Sequence, residues 1–238
     1  MITYGAISKI GDRGNNEDCV NICAGSAGYL FALADGLGGH GLGDVASKIA
    51  VEQAIAAFQD SGGDLARCFS QAQEQILAEQ KRRQVKNEIK TTLVCLRIVG
   101  NAARWGHVGD SRLYYFSKNK LIRRSFDHSV SQALAAAGEI KEKDIRRHED
   151  RNRLLRVIGI EWDSPKYELS EEVDLNKGDA FLLCSDGFWE WIEDKAMLKT
   201  MKNAGTPKQW LGLMEEEVLR NGRGNNMDNY SAIAVFVS

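Results

Sequence analysis

The chain has 238 residues, with 33 acidic against 31 basic side chains and a formal net charge of −2. That length supports one large domain with a substantial core, and the near-balance of charge argues against a general nucleic-acid binder, which carries a basic excess. No apolar run approaches the length needed to cross a bilayer, and Met1-Ile2-Thr3-Tyr4-Gly5 lacks a basic region followed by an apolar segment, so no signal peptide is read and a cytoplasmic protein without nucleic-acid or membrane partners is expected.

Short runs rich in β-branched and aromatic residues predict strands over residues 2–8, 19–23 and 29–34. Two helices are expected between Asp44 and Gln84. The first carries Ala46, Ala50, Ala54 and Ala57 as a small-residue ridge; the second carries Leu65, Cys68, Phe69, Ala72 and Ile76 at helical spacing. Further strands are expected over 92–99, 102–108 and 112–116, separated by a tight hairpin at Val99-Gly100-Asn101-Ala102 and followed by a turn at Ser117-Lys118-Asn119-Lys120. A strand over 180–184, helices over about 190–203 and 207–221, and a last strand over 232–237 complete the chain. Consecutive hairpins imply antiparallel sheet. With no Ser/Gly-rich linker, residues 1–238 read as one domain. The fold class expected is α+β, two antiparallel sheets with helix pairs outside. The five cysteines (Cys19, Cys23, Cys68, Cys95, Cys184) are odd in number, lack zinc-ligand spacing and read as reduced thiols.

Three acidic stations carry the chemistry: Ala34-Asp35-Gly36, Ser185-Asp186-Gly187 and Met227-Asp228-Asn229. The first two follow apolar runs and the third precedes one, so each carboxylate sits at a strand end. Carboxylates brought together there would repel, by roughly 4 kcal/mol for two charges about 4 Å apart at an effective dielectric of 20. A cation relieves this, and an all-oxygen ligand set favours Mg²⁺ or Mn²⁺ over zinc. Near the N-terminus, Arg13 precedes the acidic pair Glu17-Asp18 and offers a planar fork suited to phosphate oxygens. The glycines around 36–43 do not form a P-loop, since no Lys-Ser or Lys-Thr pair follows.

In order, Arg13…Glu17-Asp18, Asp35-Gly36-Leu37-Gly38-Gly39-His40, Gly109-Asp110-Ser111-Arg112, Ser185-Asp186-Gly187 and Asp228-Asn229 resemble the metal-dependent protein phosphatases of the PPM, or type 2C, family, in particular its bacterial branch. Thr91-Thr92, Asp127-His128-Ser129 and Arg151-Asn152 ahead of Arg156-Val157-Ile158-Gly159 extend the resemblance over nearly the whole chain. It implies a β-sandwich flanked by helix pairs and hydrolysis of phosphoserine and phosphothreonine in proteins by water activated at two Mn²⁺ or Mg²⁺ ions. Asp35 would bridge the metals. Asp186 and Asp228 would hold the first, and the carbonyl of Gly36 the second, with Glu17 and Asp18 on its waters. Asp110, with Asp186, would match the third-metal site of many bacterial relatives. Arg13 would grip the phosphate, and Asn229 would support Asp228. Leu37 stands where eukaryotic relatives commonly carry histidine, so a water held at the site, rather than a histidine, is expected to protonate the leaving alkoxide. His40, His107, His128 and His148 read as packing or surface residues.

The resemblance also implies phosphoprotein substrates, an opposing Ser/Thr kinase, and a flap segment at about 127–160. The flap's basic excess fits either a solvated helical surface or a mobile flap receiving an acidic phosphorylated segment. Gly109-Asp110-Ser111-Arg112 reads alternatively as a plain hairpin turn. Two other functions share these motifs: a non-catalytic phosphoprotein-binding module, and a same-fold phosphatase for one signalling partner or for small phosphoesters. The oligomeric state is not read from the sequence, with a monomer favoured.

Overall fold

In a computed structural model describing residues 1–38 and 41–238, strands β1 (Ile2–Lys9), β2 (Asp18–Gly25) and β3 (Gly28–Leu37) precede helices α1 (Gly43–Asp60) and α2 (Leu65–Arg83). Strands β4 (Lys90–Thr91), β5 (Leu93–Val99), β6 (Ala102–Val108), β7 (Arg112–Ser117) and β8 (Lys120–Arg124) follow. Then come α3 (Val130–Ala136), a 3₁₀ turn (Glu142–Arg147) and strands β9 (Glu168–Leu169), β10 (Val173–Asp174) and β11 (Ala180–Cys184). The one-turn helix α4 (Asp186–Trp189), α5 (Asp194–Lys202), α6 (Pro207–Gly222) and β12 (Tyr230–Val237) end the chain. Gly39 and His40 lie outside the described residues.

The strands pair antiparallel in two sheets, one ordered β1-β12-β11-β7-β8 and one ordered β10-β6-β5-β3-β2, with β4 on β3 and β9 on β6. Alternation along the strands sets the layers, because successive side chains face opposite sides. Phe31 and Leu33 of β3 meet Phe181 and Leu183 of β11 in the core between the sheets. Their neighbours Leu30, Ala32 and Ala34 face the other way, against Ala46, Ala50 and Ala54 of α1. Leu182 and Cys184 turn towards Trp210 and Met214 of α6. Small residues on both α1 and β3 let helix and sheet approach closely. The two-sheet α+β architecture with outer helices is thus the one the sequence implied.

Both expected turns form, each with the backbone sign that suits twisted strands. Gly100 takes φ +59° at the first turn position, and Lys118 and Asn119 are both left-handed (49° and 59°). Two expectations change. The helix read over about 190–203 forms as α5 but starts late, at Asp194, after the one-turn α4 that ends at Trp189. A guanidinium N–H of Arg146 donates to the Trp189 carbonyl, the acceptor that a continuing helix would offer to the N–H of Glu193. The segment Gly109–Arg112 is no hairpin turn, because β6 and β7 lie in different sheets.

The topology gathers one end of the sandwich. Asp18 opens β2 directly opposite Asp35 near the end of β3. Asp186 follows β11 and Asp228 precedes β12, its antiparallel neighbour. Asp110 sits where the chain crosses from β6 to β7.

Candidate active site

Asp35, Asp110, Asp186 and Asp228 line one cavity of about 380 Å³, together with Arg13, Glu17, Gly36 and Asn229. Leu37, Asn152 and Leu154 also reach it, the last two from the segment at 127–160. Of the sequence-selected residues, Asp18 alone stands behind the wall. It is buried, and its Oδ2 accepts from the Ser185 hydroxyl at 2.8 Å.

Backbone contacts fix each carboxylate. The Asp35 N–H donates to Thr92 Oγ1 at 3.0 Å, and the Asp35 carbonyl accepts from the Thr91 hydroxyl (2.7 Å) and the Thr92 N–H (2.9 Å). Thr92 Oγ1 lies 2.7 Å from Ser111 Oγ, which ties the end of β3 to the loop of Asp110. The indole N–H of Trp189 donates to the Asp110 carbonyl at 2.9 Å. Ser185 links the two sheets, donating to Asp18 while its oxygen accepts from the Ser231 N–H at 3.0 Å. A Cβ on Gly36 would fall 2.1 Å from the Gly43 carbonyl oxygen. Glycine is therefore required at Gly36 by the close approach of the loop that starts α1.

Asn229 stitches in the N-terminal loop. Its amide donates to the carbonyls of Ile10 and Asn15, both at 2.8 Å, and its Oδ1 accepts from the Glu17 N–H at 2.8 Å. The loop thereby places Arg13, whose Nε and Nη2 donate to Asp228 Oδ1 and Oδ2 at 2.9 and 2.8 Å. The guanidinium expected at phosphate is thus also a two-pronged partner of an acidic-station carboxylate.

The electrostatics are those of crowded, buried acids. Burial, then the charges of Asp18, Asp186, Asp110 and Asp228, pushes the Asp35 carboxyl well above the usual carboxylate range. Burial and Asp186 do the same to Asp110, and burial and Asp228 raise Asp186. Burial lifts Asp18 to about 7 against the lowering effect of the neighbouring Ser231 and Ser185 hydroxyls. Its Oδ1 is buried without a hydrogen-bond partner. An orphaned buried oxygen and mutually repelling carboxylates are what hard divalent cations remedy, and the donor set is oxygen only. The residues present fit such ions.

A second group of possible ligand atoms, His107, His128 and Glu168, lies outside this cavity. The imidazoles stack at 4.6 Å. His128 Nδ1 accepts the Gly109 N–H at 3.2 Å, which places the ring proton on Nε2, facing Glu168 Oε1 at 3.1 Å. Arg156 Nη1 already meets that carboxylate at 3.1 Å. A protonated nitrogen and a resident guanidinium leave no ligand set there, and both histidines are buried packing residues, as expected for them.

The sequence did not signal the roles of Ser185, Ser231, Asn152 or Leu154, which depend on contacts distant in the chain. Five basic residues of the segment at 127–160, Lys141, Lys143, Arg147, Arg153 and Arg156, are exposed, and two others anchor it. Arg146 is buried, and Arg151 pairs with Glu190 at 2.6 Å.

A family model described as Protein phosphatase 2C matches residues 7–219. The chain belongs to the protein phosphatase 2C family. Serine/threonine protein phosphatase PstP of Mycobacterium tuberculosis is 30% identical over 244 residues, covering 100% of this chain and 45% of that protein. This phosphatase 2C chain therefore spans less than half the length of that relative. Serine/threonine phosphatase stp of Listeria monocytogenes is 30% identical over 187 residues, 74% of this chain and 73% of that protein. Among solved structures, the catalytic domain of PstP in complex with two manganese ions superposes with a TM-score of 0.82 at 29% identity, covering 99% and 97% of the two chains.

Proposed function

We propose that this chain hydrolyses phosphoserine and phosphothreonine in proteins at a site holding two Mn²⁺ or Mg²⁺ ions, with Asp110 and Asp186 able to take a third. The observation that carries this reading is the convergence of Asp35, Asp110, Asp186 and Asp228, from four separate elements, on one cavity beside Arg13. Asp35, central among the acids, would bridge the metals. Asp186 and Asp228 would hold the first metal, while the Gly36 carbonyl would hold the second with Glu17 and Asp18 behind it. Bound there, such ions supply charge neutralisation at the phosphoryl oxygens and an acidified water for in-line attack.

The chain's own groups do the rest. Among the described residues the cavity offers no hydroxyl, thiol or imidazole to serve as nucleophile, and its carboxylates are the groups that would hold the ions, which supports direct attack by water. Arg13 spends Nε and Nη2 on Asp228, leaving its second terminal amino group for a phosphate oxygen. Leu37 at the rim cannot donate a proton, so protonation of the leaving alkoxide falls to water. By family likeness the physiological role is to oppose a Ser/Thr kinase on its phosphoprotein substrates.

The direct test is phosphate release from a phosphothreonine peptide with Mn²⁺, with Mg²⁺ and with EDTA. Release with either ion and none with EDTA is expected; no release from folded protein with either ion would refute the assignment. Arg13→Ala is expected to raise KM about tenfold, the equivalent of one charge-assisted hydrogen bond of about 1.4 kcal/mol. Unchanged KM and kcat would remove Arg13 from the phosphate.

A further inference from the structure

Next to the acidic cavity lies a groove of about 400 Å³ that shares Leu37, Asn152 and Leu154 with it. Its other lining residues include the apolar Leu155, Val157, Ile160 and Trp162 and the basic Lys90 and Lys166. The volume falls in the roughly 300–1,000 Å³ range of ligand sites. Leu155 is 60% exposed, an outward apolar side chain in a segment otherwise dominated by charge.

The groove is preformed. The Trp162 indole N–H donates to the Val157 carbonyl at 3.1 Å, and its ring packs on Tyr167. Thr91 and Ile158 exchange both backbone hydrogen bonds, at 3.2 and 2.9 Å. From α2, Gln73 accepts the Gly159 N–H at 2.8 Å and donates to the Ile160 carbonyl, while Gln80 donates to the Gly159 carbonyl at 2.7 Å. A wall fixed this way loses little freedom when a ligand orders against it.

Arg156 also lines the groove but is paired with Glu168. The positive field inside therefore comes from Lys90 and Lys166, opposed by one groove acid, Glu161. We propose that this groove receives the polypeptide flanking the phosphorylated residue and selects substrates with an apolar side chain beside an acidic one. The apolar residue packs against Leu155 and Trp162, and the acidic residue faces the lysines. Continuity with the catalytic cavity makes the occupant the same phosphoprotein segment whose phosphate enters beside Arg13. This deepens, and rests on, the protein-phosphatase assignment.

The test compares two phosphothreonine peptides, one flanked on both sides by Leu-Glu and one by Gly-Lys, each normalised to turnover of p-nitrophenyl phosphate with Mn²⁺. Wild type is expected to favour the Leu-Glu peptide about tenfold in kcat/KM, the size of a small apolar contact plus a charge match. Leu155→Asp and Lys166→Glu, both at solvent-accessible positions, are expected to cut that ratio below about threefold through lost apolar contact and like-charge repulsion respectively. Melting curves establish that the variants are folded. Equal kcat/KM for the two peptides in wild type, or a ratio unmoved in both folded variants, would overturn the groove. Loss of p-nitrophenyl phosphate turnover in wild type would instead refute the phosphatase assignment itself, and the groove with it.

Discussion

Asp186→Asn is expected to lower metal-dependent phosphate release on the order of a thousandfold, equivalent to about 4 kcal/mol of transition-state stabilisation. Asparagine keeps the shape of aspartate but removes the charge that would hold a cation, at a position where β11 ends and α4 begins. The fold should not suffer. Burial and then Asp228 raise the Asp186 carboxyl, so in the absence of metal the ionised group opposes folding. The sign follows from linkage: a carboxyl whose folded pKa exceeds its unfolded value contributes stability at low pH that is lost as pH rises through the folded pKa. Asp18, raised to about 7, and Asp35 act in the same direction. Burial holds the imidazoles of His107 and His128 neutral, which favours the fold at higher pH and acts the other way, so the signature is the difference between the two proteins: in EDTA at about pH 8, Asp186→Asn should melt higher than wild type. Mn²⁺ should reverse that order, because only wild type binds it well. Near-normal turnover by the variant, or a lower melting temperature than wild type in EDTA, would remove Asp186 from the cluster.

The part of this site legible in the sequence is the part encoded by local context. Asp35, Asp186 and Asp228 each adjoin an apolar run; two of those runs become the neighbouring strands β11 and β12, the third becomes β3 of the facing sheet, and the stacking of the sheets brings their ends together. Asp110 was legible as a turn-like aspartate but not as a crossing between sheets, because only the pairing of β6 and β7 with different partners separates the two cases. The strand Lys120–Arg124 was missed since it carries three basic residues around Leu121 and Ile122, as an edge strand can. The late start of the helix read over about 190–203 has a tertiary reason, the arrival of Arg146 at the Trp189 carbonyl. The basic count of the 127–160 segment holds for Lys141, Lys143, Arg147, Arg153 and Arg156, which are exposed, and fails for two residues. A charge tally treats Arg146 and Arg151 as solvent-facing, whereas Asp194 and Glu190 draw them inward.

Arg112 and Asp127 show the same limit at its largest energetic scale. Both side chains are 1% exposed and joined by two hydrogen bonds, Nε to Oδ1 at 2.8 Å and Nη2 to Oδ2 at 2.7 Å. The guanidinium also donates to the Tyr114 hydroxyl at 3.1 Å and lies 3.4 Å over the Trp189 ring. Asp127→Ala leaves that cation buried beside the core, and a broken buried pair costs about 3–5 kcal/mol. For a chain of this size, each kcal/mol shifts the melting temperature by roughly 2–4 °C, so a loss near 10 °C is expected. The double variant Arg112→Met, Asp127→Leu removes both charges and keeps the volume, and should recover most of it. Activity need not recover with stability. Trp189 holds the Asp110 carbonyl through its indole N–H, and methionine gives the ring a different neighbour. Melting curves on Arg112→Met, on Asp127→Leu and on the double variant, read as a double-mutant cycle, separate these effects. If Asp127→Ala melts within about 2 °C of wild type, a change of less than 1 kcal/mol, the pair is not the buried anchor its geometry implies. If the double variant is stable yet releases phosphate more slowly, Arg112 acts through Trp189 on the position of Asp110, a link between the 127–160 segment and the acidic cavity.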